Sequence, residues 1–315
     1  MKAFVTDAAG VTWELPPALS WEIEYGVGTP CDSFFYRCPW TPGAESDRKS
    51  WVGFTAEYGG ERVFTGRIDE CELTMDGGGR VLELSGRGMA ALLLDNEALG
   101  QDYQLATLED ILRNHVEPYG IVTAERPLLS HQTRFRVDTG SSEWTVLERF
   151  LRACGGATPR FDGLGRLVLT DWEDADVLNL DDRTPVTQLC GRVRRYAVLS
   201  EILVRDRYSG QVQRVENGDF RALGGSARRV LTMEGRAGDG EMLRAGQEQI
   251  QRAKREWEEV EVTLPVPFFA MPGQLVELER SECDRKGLYR TAKSTAGADE
   301  GGYWTKLTLR PPEHM

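Results

Sequence analysis

The stretch RVLELSGRGMAALLLD, from Arg80 to Asp95, carries the residue types of a phosphate-binding loop. An apolar run, Val81 to Leu84, leads into Gly86, Gly88 and Ala91 in the spacing G-x-G-x-x-A, and a second apolar run able to open a helix follows. In a dinucleotide-binding fold such glycines let the backbone approach a pyrophosphate at a helix N-terminus, and an acid further along takes the ribose. Glu109 and Asp110 stand near that distance. Spacing alone is insufficient, because the strand before the loop must be parallel and part of a βαβ unit.

Other chemistries have fewer parts still. No G-x-x-x-x-G-K-[ST] and no G-x-S-x-G occurs, so neither that phosphate cradle nor a serine nucleophile elbow is indicated. The histidines are His115, His131 and His314. His115 falls beside the apolar face of a helix and is read as structural, and His314 lies in a tail expected to fray. Acids crowd after Leu169, at Asp171, Glu173, Asp174, Asp176, Asp181 and Asp182. They lack the loop glycine and closing glutamate of an EF-hand, and nothing else marks them as a glycosidase pair. None of the six cysteines forms C-x-x-C. Cys31 and Cys38 are near in sequence, but neither a disulfide nor a zinc site is expected. No catalytic, cofactor-binding or metal-ligating residue is assigned.

Composition agrees. The 315 residues are 40% hydrophobic and 28% charged, with 34 glycines between short alternating runs, as in a β-rich chain with many turns. A net charge of −12 argues against a basic nucleic-acid-binding surface. No signal-peptide core forms around Asp7, and the longest apolar run, Met89 to Leu94, is too short to cross a bilayer. Assembly in a cytoplasm, without membrane insertion, is expected.

Residues 1–97 read as strands: Trp21 to Tyr25, Val52 to Tyr58, Val63 to Ile68, Cys71 to Thr74 and Val81 to Leu84 alternate. Gly59-Gly60 and Asp76 to Gly79 supply turns, and Cys31 to Arg48 reads as a long loop. Residues 98–184 read as a small α/β domain. Thr107 caps a helix with Leu108, Ile111, Leu112, His115 and Val116 on one face. A second helix, Ser142 to Cys154, stops at Gly155-Gly156, and a hairpin turns at Asp162 to Gly165. Residues 185–315 return to strands, including Tyr196 to Val204 and Arg228 to Met233, around a helical insertion at about 205–258. Its long helix, Glu241 to Glu258, shows a seam of Leu243, Gly246, Ile250, Ala253, Trp257 and Val260 suited to lying on a sheet.

The opening question is settled by an internal repeat. Shifted by 223 positions, residues 52–87 face 275–310 without a gap. Arg62, Arg67, Asp76, Gly78, Gly79, Leu84 and Arg87 meet Arg285, Arg290, Asp299, Gly301, Gly302, Leu307 and Arg310, seven identities in 36 positions. Both copies read as strand, glycine turn, strand. Val81 to Leu84 must then fold back antiparallel onto the strand before it, which excludes the dinucleotide loop. The second copy, TLRPP, has no glycine motif, and the glycines of the first are read as turn punctuation.

The segment FTGRIDECELTMDGGGRVLELSGRGMAALLLDNEA resembles the first barrel of baseplate hub proteins of contractile-tailed phages, of the kind found in phage Mu. YQLATLEDILRNHVEPYGI and FRVDTGSSEWTVLERFLRACGGATPRFDGLGRLVL resemble the α/β domain of that family. MPGQLVELE, GLYRT and YWTKLTLRPP are similar to its closing barrel. The likeness covers about residues 50–310. Gly88 stands where the family often has an acid, and Cys31 to Arg48 matches nothing in it.

The resemblance implies an α+β, mainly β chain. It would have two related antiparallel β-barrel domains (1–97 and 185–315), an α/β domain (98–184) and one long helix. It implies a homotrimer whose six barrels join a hexameric tail tube, or its initiator, above to a trimeric spike below. No β-helical spike follows, so a fused hub-spike chain is not expected. A conduit for DNA or a tape-measure protein should have an acidic or neutral wall, since a basic one would hold a polyanion by counterion release. Glu70, Glu72, Glu277 and Glu279 are the candidate lining acids. The alternative from another class is a tail-associated cell-wall hydrolase using the acids after Leu169.

Overall fold

The computed structural model describes residues 1–27, 31–40, 48–172, 174, 176–233 and 238–315. Part of the Cys31 to Arg48 stretch (41–47) and the acid Glu173 lie outside the described residues. The chain is mostly β with few helices and forms two units. Unit 1 holds residues 1–175, 264–274 and 293–306, and unit 2 holds the rest.

Unit 1 opens with β1 (Lys2–Asp7), β2 (Thr12–Glu14), β3 (Ser20–Gly26), β4 (Ser33–Pro39), β5 (Trp51–Tyr58), β6 (Glu61–Asp76) and β7 (Gly79–Gly88). They pair antiparallel in the order β3-β4-β7-β6-β5-β1-β2. Strict alternation explains why: in β3 Trp21, Ile23 and Tyr25 point to the core while Ser20, Glu22 and Glu24 point away. Phe34, Phe54 and Phe64 fill that core, with Phe34 stacked on Phe54 at 3.8 Å between ring centroids. Residues 33–39, read from the sequence as loop, are β4. The prolines on either side of Ser33-Phe-Phe-Tyr-Arg-Cys masked a seven-residue alternation.

The helix α1 (Ala91–Leu94) leads into the second layer of unit 1, β8 (Gln101–Ala106), α2 (Leu108–His115), β9 (Gln132–Val137), α3 (Glu143–Cys154), β10 (Arg160–Phe161) and β11 (Leu167–Val168). Thr107 and Asp110 form a reciprocal capping box at α2, and Gly155, with φ +71°, ends α3. Ile111, Leu112, Leu147 and Phe150 are buried between the two helices and β8–β9. The turn 162–165 lies against β6: a Cβ on Gly163 would meet the Val63 carbonyl at 2.8 Å, and Thr65 donates to the Gly163 carbonyl at 3.0 Å.

Unit 2 contains β12 (Val177–Asp181), β13 (Gln188–Val193), β14 (Glu201–Asp206), β15 (Val212–Glu216), α4 (Gly218–Ala222), β16 (Arg228–Met233), α5 (Asp239–Lys254), β17 (Glu258–Leu264) and β18 (Leu275–Glu279). β13 pairs with β17, and β18 lies parallel to β12. Residues 287–292 of β19 (Gly287–Asp299) and 307–310 of β20 (Gly302–Arg310) belong to unit 2, and the rest of both strands to unit 1. Within unit 1, residues 293–298 of β19 pair with β3.

The insertion at about 205–258 holds strands as well as helix: β14, β15 and β16 form a separate three-stranded sheet under α5. The long helix differs from its expected extent. The helix ends at Lys254, and its buried seam is Met242, Gly246 and Ile250, while Leu243 is exposed and Trp257 and Val260 lie beyond its end. Gly246 is needed because a Cβ there would sit 2.5 Å from Val215.

Candidate functional site: two glycine–arginine hairpins

The residues singled out by the repeat gather at two hairpins, β6–β7 and β19–β20. The turns match in detail. Asp76 Oδ1 accepts from the Gly78 amide at 2.8 Å, and Asp299 Oδ1 accepts from the Gly301 amide at 2.7 Å. Gly79 and Gly302 take φ of +127° and +107°, the region that favours glycine, whereas Gly77, Gly78 and Gly301 do not. The aspartate side chain mimics a backbone turn and glycine completes it.

Gly86 and Gly88 are not turn residues, which corrects the reading of the G-x-G-x-x-A stretch. They lie inside β7, antiparallel to both β4 and β6. The register between β6 and β7 slips between Ile68 and Glu70, leaving Asp69 unpaired in a bulge. Beside it the strands pinch. A Cβ on Gly86 would sit 2.0 Å from the Arg67 carbonyl oxygen, and one on Gly66 would sit 2.3 Å from that of Arg87. These glycines admit a neighbouring backbone.

The bulged carboxylate is also the one that Arg87 meets. Arg87 Nε and Nη2 donate to Asp69 at 2.6 and 2.9 Å, and Nη1 and Nη2 donate to Asp95 at 2.9 and 2.7 Å. These hydrogen bonds raise the guanidinium pKa and lower that of Asp95. In the second hairpin Arg310 donates through Nε and Nη2 to the buried Glu259 at 2.9 and 2.7 Å, and Arg194 approaches the same carboxylate at 3.2 Å. Both arginines are engaged by carboxylates of their own chain, an arrangement that builds structure. Arg67 faces Arg87 and Gly53 across the strands, and Arg290 faces Leu275.

Glu70 and Glu72 are exposed on β6, alternating with Cys71 and Leu73, which pack on the core. Glu22, Glu24 and Glu83 lie on the same outward face, with Glu72 directly across from Glu83. Lys293 meets Glu24 at 2.7 Å and Arg37 meets Glu83 at 2.9 Å. Burial raises the Glu22 pKa, and neighbouring Glu24 adds to it. Glu277 is half-buried and Glu279 exposed on the side of β18 opposite Val276 and Leu278.

His115 is buried in a polar network. Its Nδ1 lies 2.6 Å from Glu143 and its Nε2 2.9 Å from the Tyr103 hydroxyl; Tyr119 donates to Glu143 at 3.0 Å and Asn114 to Tyr103 at 2.9 Å. These bonds tie β8, α2 and α3 together. Glu143, in the first turn of α3, belongs to no motif in the sequence, and only the fold brings it to His115. His314 does not fray: it is buried in a 3-10 turn (Pro312–His314) and stacks on Trp257 at 5.8 Å. Burial lowers its pKa. Among the acids after Leu169, Asp181 accepts from the Arg183 amide at 2.9 Å and Asp182 from the Ser281 amide at 2.7 Å. Among the described residues no group of His, Cys, Asp and Glu is placed to hold a metal ion, and no helix is long and apolar enough to cross a membrane. The six cysteines are free.

Residues 90–171 match the family described as baseplate hub protein gp44-like, second domain. No curated protein matches the chain. The fold is that of the 43 kDa tail protein of prophage MuSo2 from Shewanella oneidensis, with a TM-score of 0.82 and 18% identity over 100% of this chain and 99% of that one. The tail protein of Neisseria meningitidis MC58 gives 0.74 and 17% over 99% and 96%. The E. coli c3393 protein is a type VI secretion component described as structurally similar to the T4 tail proteins gp27 and gp5. It gives 0.59 and 14% over 93% of this chain and 73% of that one. Residues 90–171 are thus similar to the second domain of gp44-like baseplate hub proteins, within a fold that the whole chain shares with solved phage tail proteins.

Proposed function

We propose that this protein is a structural hub of a contractile phage tail or related injection particle. In this reading three copies form a ring of six similar barrels, two from each chain. The ring stacks on a hexameric tail tube, or its initiator, above and receives a trimeric spike below. It adapts one symmetry to the other without catalysis, cofactor or metal, and without specific nucleic-acid binding. It assembles in the host bacterial cytoplasm and resides in the virion tail.

The observation that carries this reading is the pair of hairpins 223 positions apart, with the same aspartate-capped turn, the same left-handed glycine and an engaged arginine at equivalent positions. A chain with two such elements can present six from three copies. Glu70, Glu72, Glu277 and Glu279 would line the conduit, where carboxylates let DNA or a tape-measure protein pass without adhesion. Native mass spectrometry tests the ring: the expected species has three times the 35.3 kDa chain mass. Peptidoglycan turnover by the purified protein would contradict the non-catalytic reading.

A further inference from the structure

The β14–β16 sheet of unit 2 is covered on one side only. Ile202, Val204 and Val215 pack against Met242 and Ile250 of α5. The opposite side carries Leu203, Arg205, Val212 and Val230, with Leu203 directly across from Val230 and Arg205 across from Val212. Val212 and Val230 are 53% and 58% exposed. β14 runs parallel to β16 and antiparallel to β15. Val212 and Val230 stand on the two outer strands with Leu203 and Arg205 of β14 between them, so apolar groups span this uncovered face.

Charge identifies what docks there. Unit 1 holds 30 Asp and Glu against 18 Lys and Arg, whereas unit 2 holds 20 of each, so the whole net charge of −12 resides in unit 1. Within unit 2 the stretch 192–255, which contains the three-stranded sheet, has 14 Arg and Lys against 8 Asp and Glu. On the bare face Arg205, Arg214 and Arg228 stand against Glu201 and Glu216, with Arg214 and Arg228 both meeting Glu201 and Arg214 also meeting Glu216 at 3.0 Å. A closed threefold ring has a head-to-tail interface, so each copy needs two unlike, complementary surfaces. This chain has a net positive stretch around the bare sheet and a net negative unit 1.

We propose that the bare face of the β14–β16 sheet docks on the acid-rich unit 1 of a second copy and closes the ring. The inference rests on the ring reading above and names the surface that reading requires. Sedimentation equilibrium of the full chain at low and high salt tests it, together with Val230→Glu and Arg205→Glu. Both positions are exposed, and far-ultraviolet circular dichroism checks that each variant keeps its fold. The wild type should trimerise, less so as salt screens the attraction. Each variant should weaken association by about tenfold or more, because like charges then face each other across the interface. Variants that trimerise as the wild type does overturn the inference and leave the ring standing. A wild-type chain that stays single at every concentration overturns both.

Discussion

The two repeated hairpins share a turn and differ one strand-length away from it. In the first, the bulge at Asp69 pinches β6 against β7, glycines occupy positions 66 and 86, and the bulged carboxylate meets Arg87. In the second, the equivalents of those glycines are the buried Tyr289 and Leu309, and Asp69 is replaced by Ala292. Arg310 therefore turns to Glu259 on β17, a carboxylate whose side chain is 3% exposed. The comparison teaches that the turn and the arginine can persist while the means of holding them changes. One copy uses a local bulge, and the other uses a buried acid brought from elsewhere in the chain.

The largest expected effect lies in the pinch. Gly86→Ala places a Cβ against a backbone carbonyl that cannot rotate away, and should cost about 3 kcal/mol or more in denaturant unfolding. Leu309→Ala at the equivalent position should destabilise for the opposite reason, a cavity costing about 2–5 kcal/mol. If Gly86→Ala were neutral, the pinch would not explain the glycine. Next comes the buried pair. Glu259→Gln removes the buried counter-charge of Arg310, leaving it only the exposed Glu256 at 4.0 Å, and should cost about 3 kcal/mol, in the range for breaking a buried pair. Arg87→Met, whose partners are more than a third exposed, should cost only about 1 kcal/mol. Equal losses would erase the distinction between the two hairpins. Gly79→Ala and Gly302→Ala should behave alike, each costing about 1 kcal/mol through its left-handed φ. Unequal losses would show that the turns are not equivalent.

The smallest effect belongs to unit 1 alone and depends on pH. Burial pushes the half-buried Asp32 carboxyl up to about 7, with Glu24 adding to the rise and the Gly26 amide opposing it. The native state therefore favours the protonated acid. Its contribution is fully present below the ordinary carboxylate value and is lost as pH rises through about 7. Asp32→Asn should match the wild type in thermal melts near pH 4 and exceed it by a few degrees above pH 7. A constant difference across that range would refute the assignment.

Much of this was legible in residue order. Thr107 with Asp110, and Gly155 after Cys154, mark helix ends by chemistry that acts within one turn. The 223-residue offset brings Asp76 onto Asp299 and Gly79 onto Gly302, the turns then found at both places. What stayed hidden depends on distances across the fold. Gly86 reads as punctuation until the bulge at Asp69 brings a carbonyl beside it. Glu143 carries no signal in the sequence, because its partner His115 is 28 residues away. The separate β14–β16 sheet stays hidden because alternation reports which residues face inward, not which strand lies alongside.

The central claim is that three copies make a pseudo-sixfold ring, and electron cryomicroscopy of the assembled particle tests it most directly. The account predicts three copies between tube and spike, with residues 52–87 and 275–310 superposing after a rotation of about 60° around the threefold axis, as six units from three chains require. Six copies in the ring, or unrelated placement of the two segments around the axis, would contradict it.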